Sequence, residues 1–213
     1  MSGRTPLSKE IVQFLKSKGI VKPTPIQEKA IPLLLEGTHN SLLLAPTGSG
    51  KTEAALLPLL NKLQQMSKQK ELFGFYILYI TPLKALNRDV FKRMVELCEH
   101  LGLTADVRHG DTTQYARRKQ AIYPPNLLIT TPETLQAILP GKRLRYHLRT
   151  VFAVVIDEVH NLASSKRGTQ LSLGLERLER LIGSEIMRVG LSATVGNPKE
   201  VAQLLSGKKN IKT

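Results

Sequence analysis

Between an apolar run at Ser41–Ala45 and a segment with helical apolar spacing from Lys51 onward lies Ala45-Pro46-Thr47-Gly48-Ser49-Gly50-Lys51-Thr52. Glycines in such a turn let successive backbone N–H groups converge on phosphate oxygens, and the first turn of the following helix adds positive potential. In that setting Lys51 reaches the β- and γ-phosphates of a bound triphosphate, and the Thr52 hydroxyl ligates Mg²⁺. Ala45 stands where the strict pattern has glycine. The second chemical feature is Val154-Val155-Ile156-Asp157-Glu158-Val159-His160, an apolar run ending on two adjacent carboxylates. Asp157 suits the Mg²⁺ environment, partly through water, and Glu158 suits the orientation and deprotonation of an attacking water. Taken singly, the two segments also read as a glycine-rich helix cap and a solvated acidic turn. Together they point to a nucleotide site. Val189-Gly190-Leu191-Ser192-Ala193-Thr194 closes a third apolar run, where Ser and Thr also serve as ordinary turn formers.

These residues need a frame that brings strand ends together. Short runs rich in Leu, Ile, Val or Tyr predict strands at Ser41–Ala45, Phe75–Thr81, Ala105–Arg108, Leu127–Thr131, Val151–Asp157 and Arg188–Ser192. Three- and four-residue apolar spacing predicts helices at Lys51–Met66, Lys84–Leu101, Thr113–Ile122, Pro132–Leu139 and Thr169–Ile182. Strands apolar on both faces and alternating with helices predict an α/β three-layer sandwich, a mostly parallel sheet with helices on both faces. Ligands of such sheets gather at the C-terminal strand ends, where Lys51 and Asp157 would meet. Two further helices, Leu7–Lys18 and Pro25–Glu36, precede this core, with Gly19 ending the first and Pro25 starting the second. The organisation reads as an N-terminal helical segment over 1–36 packed on the core, a nucleotide-binding domain over 37–206, and a tail or linker start over 207–213.

With 31 Lys plus Arg against 17 Asp plus Glu, the 213-residue chain carries a net charge of +14 and is 41% apolar. That composition excludes a disordered chain and describes one globular domain with a basic surface suited to polyanions such as DNA or RNA. A single cysteine, Cys98, excludes an internal disulfide or multi-cysteine metal site, points to a reducing, cytoplasmic setting, and reads as a buried small hydrophobe. No apolar run has the length of a membrane span.

In order, Thr24-Pro25-Ile26-Gln27, Ala45–Thr52, Thr81-Pro82-Leu83-Lys84-Ala85-Leu86, Gly110-Asp111, Thr131-Pro132-Glu133, Asp157-Glu158-Val159-His160 and Ser192-Ala193-Thr194 resemble the motifs of superfamily 2 helicases. The Asp-Glu-x-His form and Thr-Pro-Leu-Lys-Ala-Leu resemble the large helicase-related (Lhr) group and its archaeal relatives, as do Ser165-Lys166-Arg167-Gly168 and Leu175-Glu176-Arg177-Leu178. The resemblance implies a RecA-like first motor domain that uses ATP and Mg²⁺ and works with a second RecA-like domain not present in this chain. It implies that Gln27 reads the adenine edge and that Thr47, Gly48, Ser49, Gly50, Lys51 and Thr52 surround the phosphates. His160 would bridge to Ser192 and Thr194 and couple nucleotide state to strand movement. Pro82, Lys84, Gly110, Asp111, Thr131 and Pro132 fall on motifs that line the nucleic-acid track, with DNA favoured over RNA. Backbone amides, hydroxyls and lysine suit sequence-independent sugar–phosphate contact.

Plainer readings stand beside these. Gln27 can be a polar helix residue, and Asp111 an N-cap for the helix after Thr112. Arg88, Arg117, Arg118, Lys119 and the run Lys142, Arg143, Arg145, Arg149 read as solvated helix faces, and His109 as structural. A P-loop kinase or GTPase lacks support because no Asn-Lys-x-Asp guanine reader occurs. A non-catalytic nucleotide-dependent nucleic-acid-binding module is the remaining alternative, although Lys51, Thr52, Asp157 and Glu158 are all present. The isolated domain is expected to be monomeric, to hydrolyse ATP weakly and to unwind nothing alone.

Overall fold

The computed structural model describes residues 7–37, 40–82, 88–163, 165–193, 201–202, 205 and 211–212. The strands are β1 (Asn40–Leu44), β2 (Ile77–Ile80), β3 (Ala105–Arg108), β4 (Leu127–Thr130), β5 (Ala153–Ile156), β6 (Met187–Ser192) and β7 (Ile211–Lys212). They form one sheet in the order β3-β4-β2-β5-β6-β1-β7, and every pairing is parallel. Residues 211–212, within a tail whose composition reads as a linker, thus add a short strand beside β1. Chain order reverses across the sheet between β1 and β2, which lie with β5 and β6 between them. Such a switch point is where open α/β sheets hold ligands.

Strands β2, β4 and β5 are buried along their whole length. Successive residues feed opposite cores, as strand geometry requires. Ile77, Tyr79 and Val155 join the core under α1 (Lys9–Ser17), α2 (Pro25–Glu36), α3 (Lys51–Ser67) and α4 (Arg88–His100). Leu78, Ile80, Val154 and Ile156 join the other, with α6 (Pro132–Ile138), α8 (His160–Ala163) and α9 (Lys166–Ile182). The N-terminal helices therefore pack on the core, with Ile11 and Leu34 buried in it. Cys98 is fully buried there, and burial pushes its thiol up to about 12.

Helix starts follow local chemistry. Thr113 Oγ1 accepts from Ala116 N and caps α5 (Gln114–Ile122), a role that Asp111 does not take. Thr131 caps α6, with Pro132 in the first turn, where its missing N–H costs nothing. Ser165 Oγ accepts from Gly168 N, so α9 begins at Lys166, three residues ahead of the periodic apolar pattern. The basic run contains a short helix, α7 (Lys142–His147). Of the predicted helix Lys84–Leu101, the start at Lys84 lies outside the described residues.

Candidate nucleotide site and an adjoining basic cleft

The turn between β1 and α3 needs glycine twice. Gly48 and Gly50 have φ of 80° and 86°, the left-handed region that other residues enter at a cost. A Cβ on Gly50 would also stand 2.5 Å from Gln27 Nε2. Lys51 Nζ turns back and donates to the carbonyls of Ala45 and Pro46 at 2.6 and 2.8 Å. Burial lowers its pKa, against the opposing pull of the Glu158 and Asp157 carboxylates. Ser49 Oγ is buried without a hydrogen-bond partner. A donor left unpaired in a turn of convergent N–H groups fits phosphate oxygens.

Asp157 follows β5 and shares the face of Val155, which registers with Tyr79 on β2. The Tyr79 hydroxyl donates to Asp157 Oδ2 at 2.5 Å, and Glu158 N donates to Oδ1 at 2.9 Å. Burial raises the Asp157 pKa, and these two hydrogen bonds pull against it. Burial and the Asp157 charge hold the Tyr79 hydroxyl well above the usual phenol range. Glu158 has φ of 49°, the one positive value outside glycine among the described residues. Such a conformation costs of order 1–3 kcal/mol and persists where surrounding structure enforces it. Here Val159 N donates to Leu191 O at 3.0 Å and anchors the turn to β6. Glu158 Oε2 lies 3.2 Å from His160 Nε2, and His160 Nδ1 lies 2.9 Å from Ser192 Oγ. The expected His160–Ser192 bridge is thus present and extends to Glu158, while Thr194 lies outside the described residues.

Loop and acids open on one cleft of about 600 Å³, whose walls include Gln27, Thr47, Lys51, Thr52, Asp157 and Glu158. Gln27 is buried. Its Oε1 accepts from Thr24 N at 3.0 Å, completing one half of a capping box, and its Nε2 donates to Gly50 O at 3.3 Å. Sequence reasoning missed Tyr79. The available signal was register, since a polar ring two residues before the end of a predicted inner strand must meet whatever follows the neighbouring strand.

Pro82, Gly110, Thr131 and Pro132 line a second cleft of about 600 Å³, together with Arg108 and Arg117. Leu162 and Arg167, a few residues beyond Glu158, also face it. Asp111 is not among its walls, its side chain being 83% exposed, and Lys84 lies outside the described residues. Arg117 is not a solvated helix residue: Nε donates to Thr112 O at 2.8 Å, and Nη2 donates to His109 O and Gly110 O at 3.3 and 2.6 Å. Arg118, Lys119, Lys142, Arg143, Arg145 and Arg149 are exposed, as a solvated face requires, and nothing is described of the Arg88 side chain. His109 is structural, its Nδ1 accepting from Asp111 N at 3.1 Å.

A parallel sheet with a glycine loop after one inner strand and an acidic pair after another, both opening on one cleft, defines a RecA-like P-loop ATPase domain. The chain matches over residues 24–202, and belongs to, the DEAD/DEAH box helicase family. It is 43% identical over 197 residues to Lhr helicase/probable uracil glycosylase of Mycolicibacterium smegmatis, covering 87% of this chain and 13% of that protein. It is 42% identical over 196 residues to the ATP-dependent helicase Lhr-Core of Methanothermobacter thermautotrophicus, covering 86% and 22%. The chain therefore spans less than a quarter of the length of each of these two relatives. The fold superposes on Mycobacterium smegmatis helicase Lhr bound to ssDNA and AMP-PNP with a TM-score of 0.81 at 39% identity, covering 96% of this chain and 27% of that one. It also superposes on the DUF1998 helicase MrfA bound to DNA and AMPPNP, with a TM-score of 0.82 at 26% identity, covering 100% and 30%. The chain corresponds to the first RecA-like, ATP-binding domain of Lhr-type superfamily 2 helicases. None of its described helices is long and apolar enough to cross a membrane.

Proposed function

We propose that this domain binds Mg²⁺·ATP and a single strand of nucleic acid, DNA in preference to RNA, as one half of a translocating motor whose second RecA-like domain completes hydrolysis. The observation that carries this reading is the convergence of the glycine loop and the Asp157–Glu158 pair on one cleft. The relatives bound to ssDNA or DNA and a nucleotide analogue support it.

Lys51 exchanges its two carbonyl acceptors for phosphate oxygens, and the N–H groups of the Thr47–Thr52 turn take the remaining ones. Thr52 and Asp157 would hold Mg²⁺, Asp157 partly through water; the ion, when bound, neutralises charge on the phosphates. Asp157 is kept oriented for this by donors on both of its oxygens. Glu158 positions the attacking water and takes its proton. Its contact with His160, which in turn meets Ser192, passes a change at the carboxylate to the end of β6. Gln27 reads the adenine edge with the amide that otherwise rests on Gly50. In the second cleft Pro82, Gly110, Thr131 and Pro132 approach the sugar–phosphate backbone, with Lys84 and Asp111 on the flanking segments.

Nucleotide titration tests the assignment. Lys51→Ala should weaken ATP binding at least tenfold, while Glu158→Gln should bind ATP like the parent and lose turnover in a protein carrying both RecA-like domains. Unchanged affinity in the first or unchanged turnover in the second removes that residue from its role. GTP should compete poorly against ATP.

A further inference from the structure

The second cleft holds an uncompensated pair of cations. Arg108 ends β3 and is only 9% exposed. Its Nη1 donates to Arg117 O at 3.2 Å and to Gln120 Oε1 at 3.1 Å. The Asp106 carboxylate accepts from the Gln120 amide at 2.9 Å and forms no ion pair with a guanidinium among the described residues. Arg117 likewise meets only carbonyls, those of His109, Gly110 and Thr112. No ion pair of either arginine occurs among the described residues. Glu133, also on the cleft, is taken by Arg167 at 3.0 Å. Burial lowers the pKa of Arg108, and the Arg117 charge lowers it further, yet guanidinium stays protonated in proteins. Two guanidinium charges whose partners among the described residues are neutral, one of them largely buried at the wall of a cleft, suit an anion.

We infer that Arg108 and Arg117 form a phosphate-binding corner that grips one phosphodiester of a nucleic-acid strand, an inference resting on the strand-binding reading above. Among the described residues Arg108 donates through Nη1 alone, so its planar fork retains donors for two phosphate oxygens. Thr130 Oγ1 donates to Arg108 O at 2.8 Å and fixes the residue at the strand end. Arg117 has a second part in it. By gathering three carbonyls of the 109–112 loop it turns their negative ends toward itself and away from the ligand. A phosphate is read here without reference to the base, as translocation demands.

The test is binding of a fluorescent single-stranded oligonucleotide to the 213-residue chain across a salt series. Arg108→Gln should reduce the slope of log affinity against log salt by about 0.7, the counterion release of one phosphate on a single strand. Arg108→Lys keeps the charge, so it should keep the slope while losing several-fold in affinity for want of the fork. A parental slope in Arg108→Gln, or parental affinity in Arg108→Lys, overturns the corner and leaves the helicase reading standing. Failure of the parent chain to bind any strand overturns both. Inorganic phosphate at constant ionic strength should compete only weakly. If it displaces the oligonucleotide from the parent but not from Arg108→Lys, the corner holds a free anion and the strand assignment fails.

Discussion

Asp157 is held by two opposed effects, with burial favouring its neutral form and the donors Tyr79 and Glu158 N favouring its charged one. Burial prevails, so the folded state binds this proton more tightly than the unfolded chain. Stability from this group therefore falls as pH rises from the ordinary carboxylate value through the raised one, and is level above it. Asp157→Asn, whose Oδ1 can accept from Glu158 N while its amide donates to the Tyr79 hydroxyl oxygen, should be more stable than the parent near about pH 7, with the advantage shrinking toward about pH 4. Thermal unfolding of both proteins without nucleotide, across that range, measures the difference. A constant gap would mean that burial does not set the carboxyl's behaviour. Tyr79 and Asp157 are seventy-eight positions apart in the chain, so only strand register could have joined them in advance.

At the scale of elements, β6 carries a full charge into the interior. Arg188 on β6 is fully buried and pairs with Glu176 and Glu179 of α9, each at 2.9 Å, while its Nη1 donates to Leu205 O at 3.1 Å. It ties a strand, a helix and the chain near residue 205 together. Breaking a buried pair by removing one partner costs about 3–5 kcal/mol, chiefly because the remaining groups lose their compensation. Arg188→Ala should lower stability by that order in urea unfolding, with Arg188→Met losing less because its stem still fills the space. Losses under about 1 kcal/mol would show that water replaces the guanidinium. Period and punctuation made most elements legible, since Pro25–Glu36 and Ala105–Arg108 were readable to the residue. Elements fixed by side-chain caps or by pairing across the sheet were not. Ser165 starts α9 by accepting a single N–H, and Ile211–Lys212 becomes a strand only because β1 offers an open edge. The proposed nucleotide site was legible because the loop and the acidic pair are each contiguous in sequence, whereas the proposed arginine corner joins β3 and α5 by geometry alone.

For the whole molecule, the proposed function makes the acidic pair and the glycine loop half of a phosphoryl-transfer site. Arginine supplied from a partner domain contributes on the order of 10³–10⁵ in rate in related reactions. Phosphate release by this chain alone should be slow and should rise by at least about a hundredfold when a second RecA-like domain of an Lhr-type helicase is fused in place. Equal rates would make the domain a self-sufficient ATPase. Residues close together in sequence furnish a wall to each cleft: Glu158 to the first, Leu162 and Arg167 to the second. Ligands in the two hollows would meet neighbouring parts of the chain. Thermodynamic reciprocity then fixes the outcome, in that a strand sharpening the grip on ATP by some factor must itself be held tighter by ATP to the same degree. Under the proposed function, ligands that favour one another in this way would also loosen one another on release.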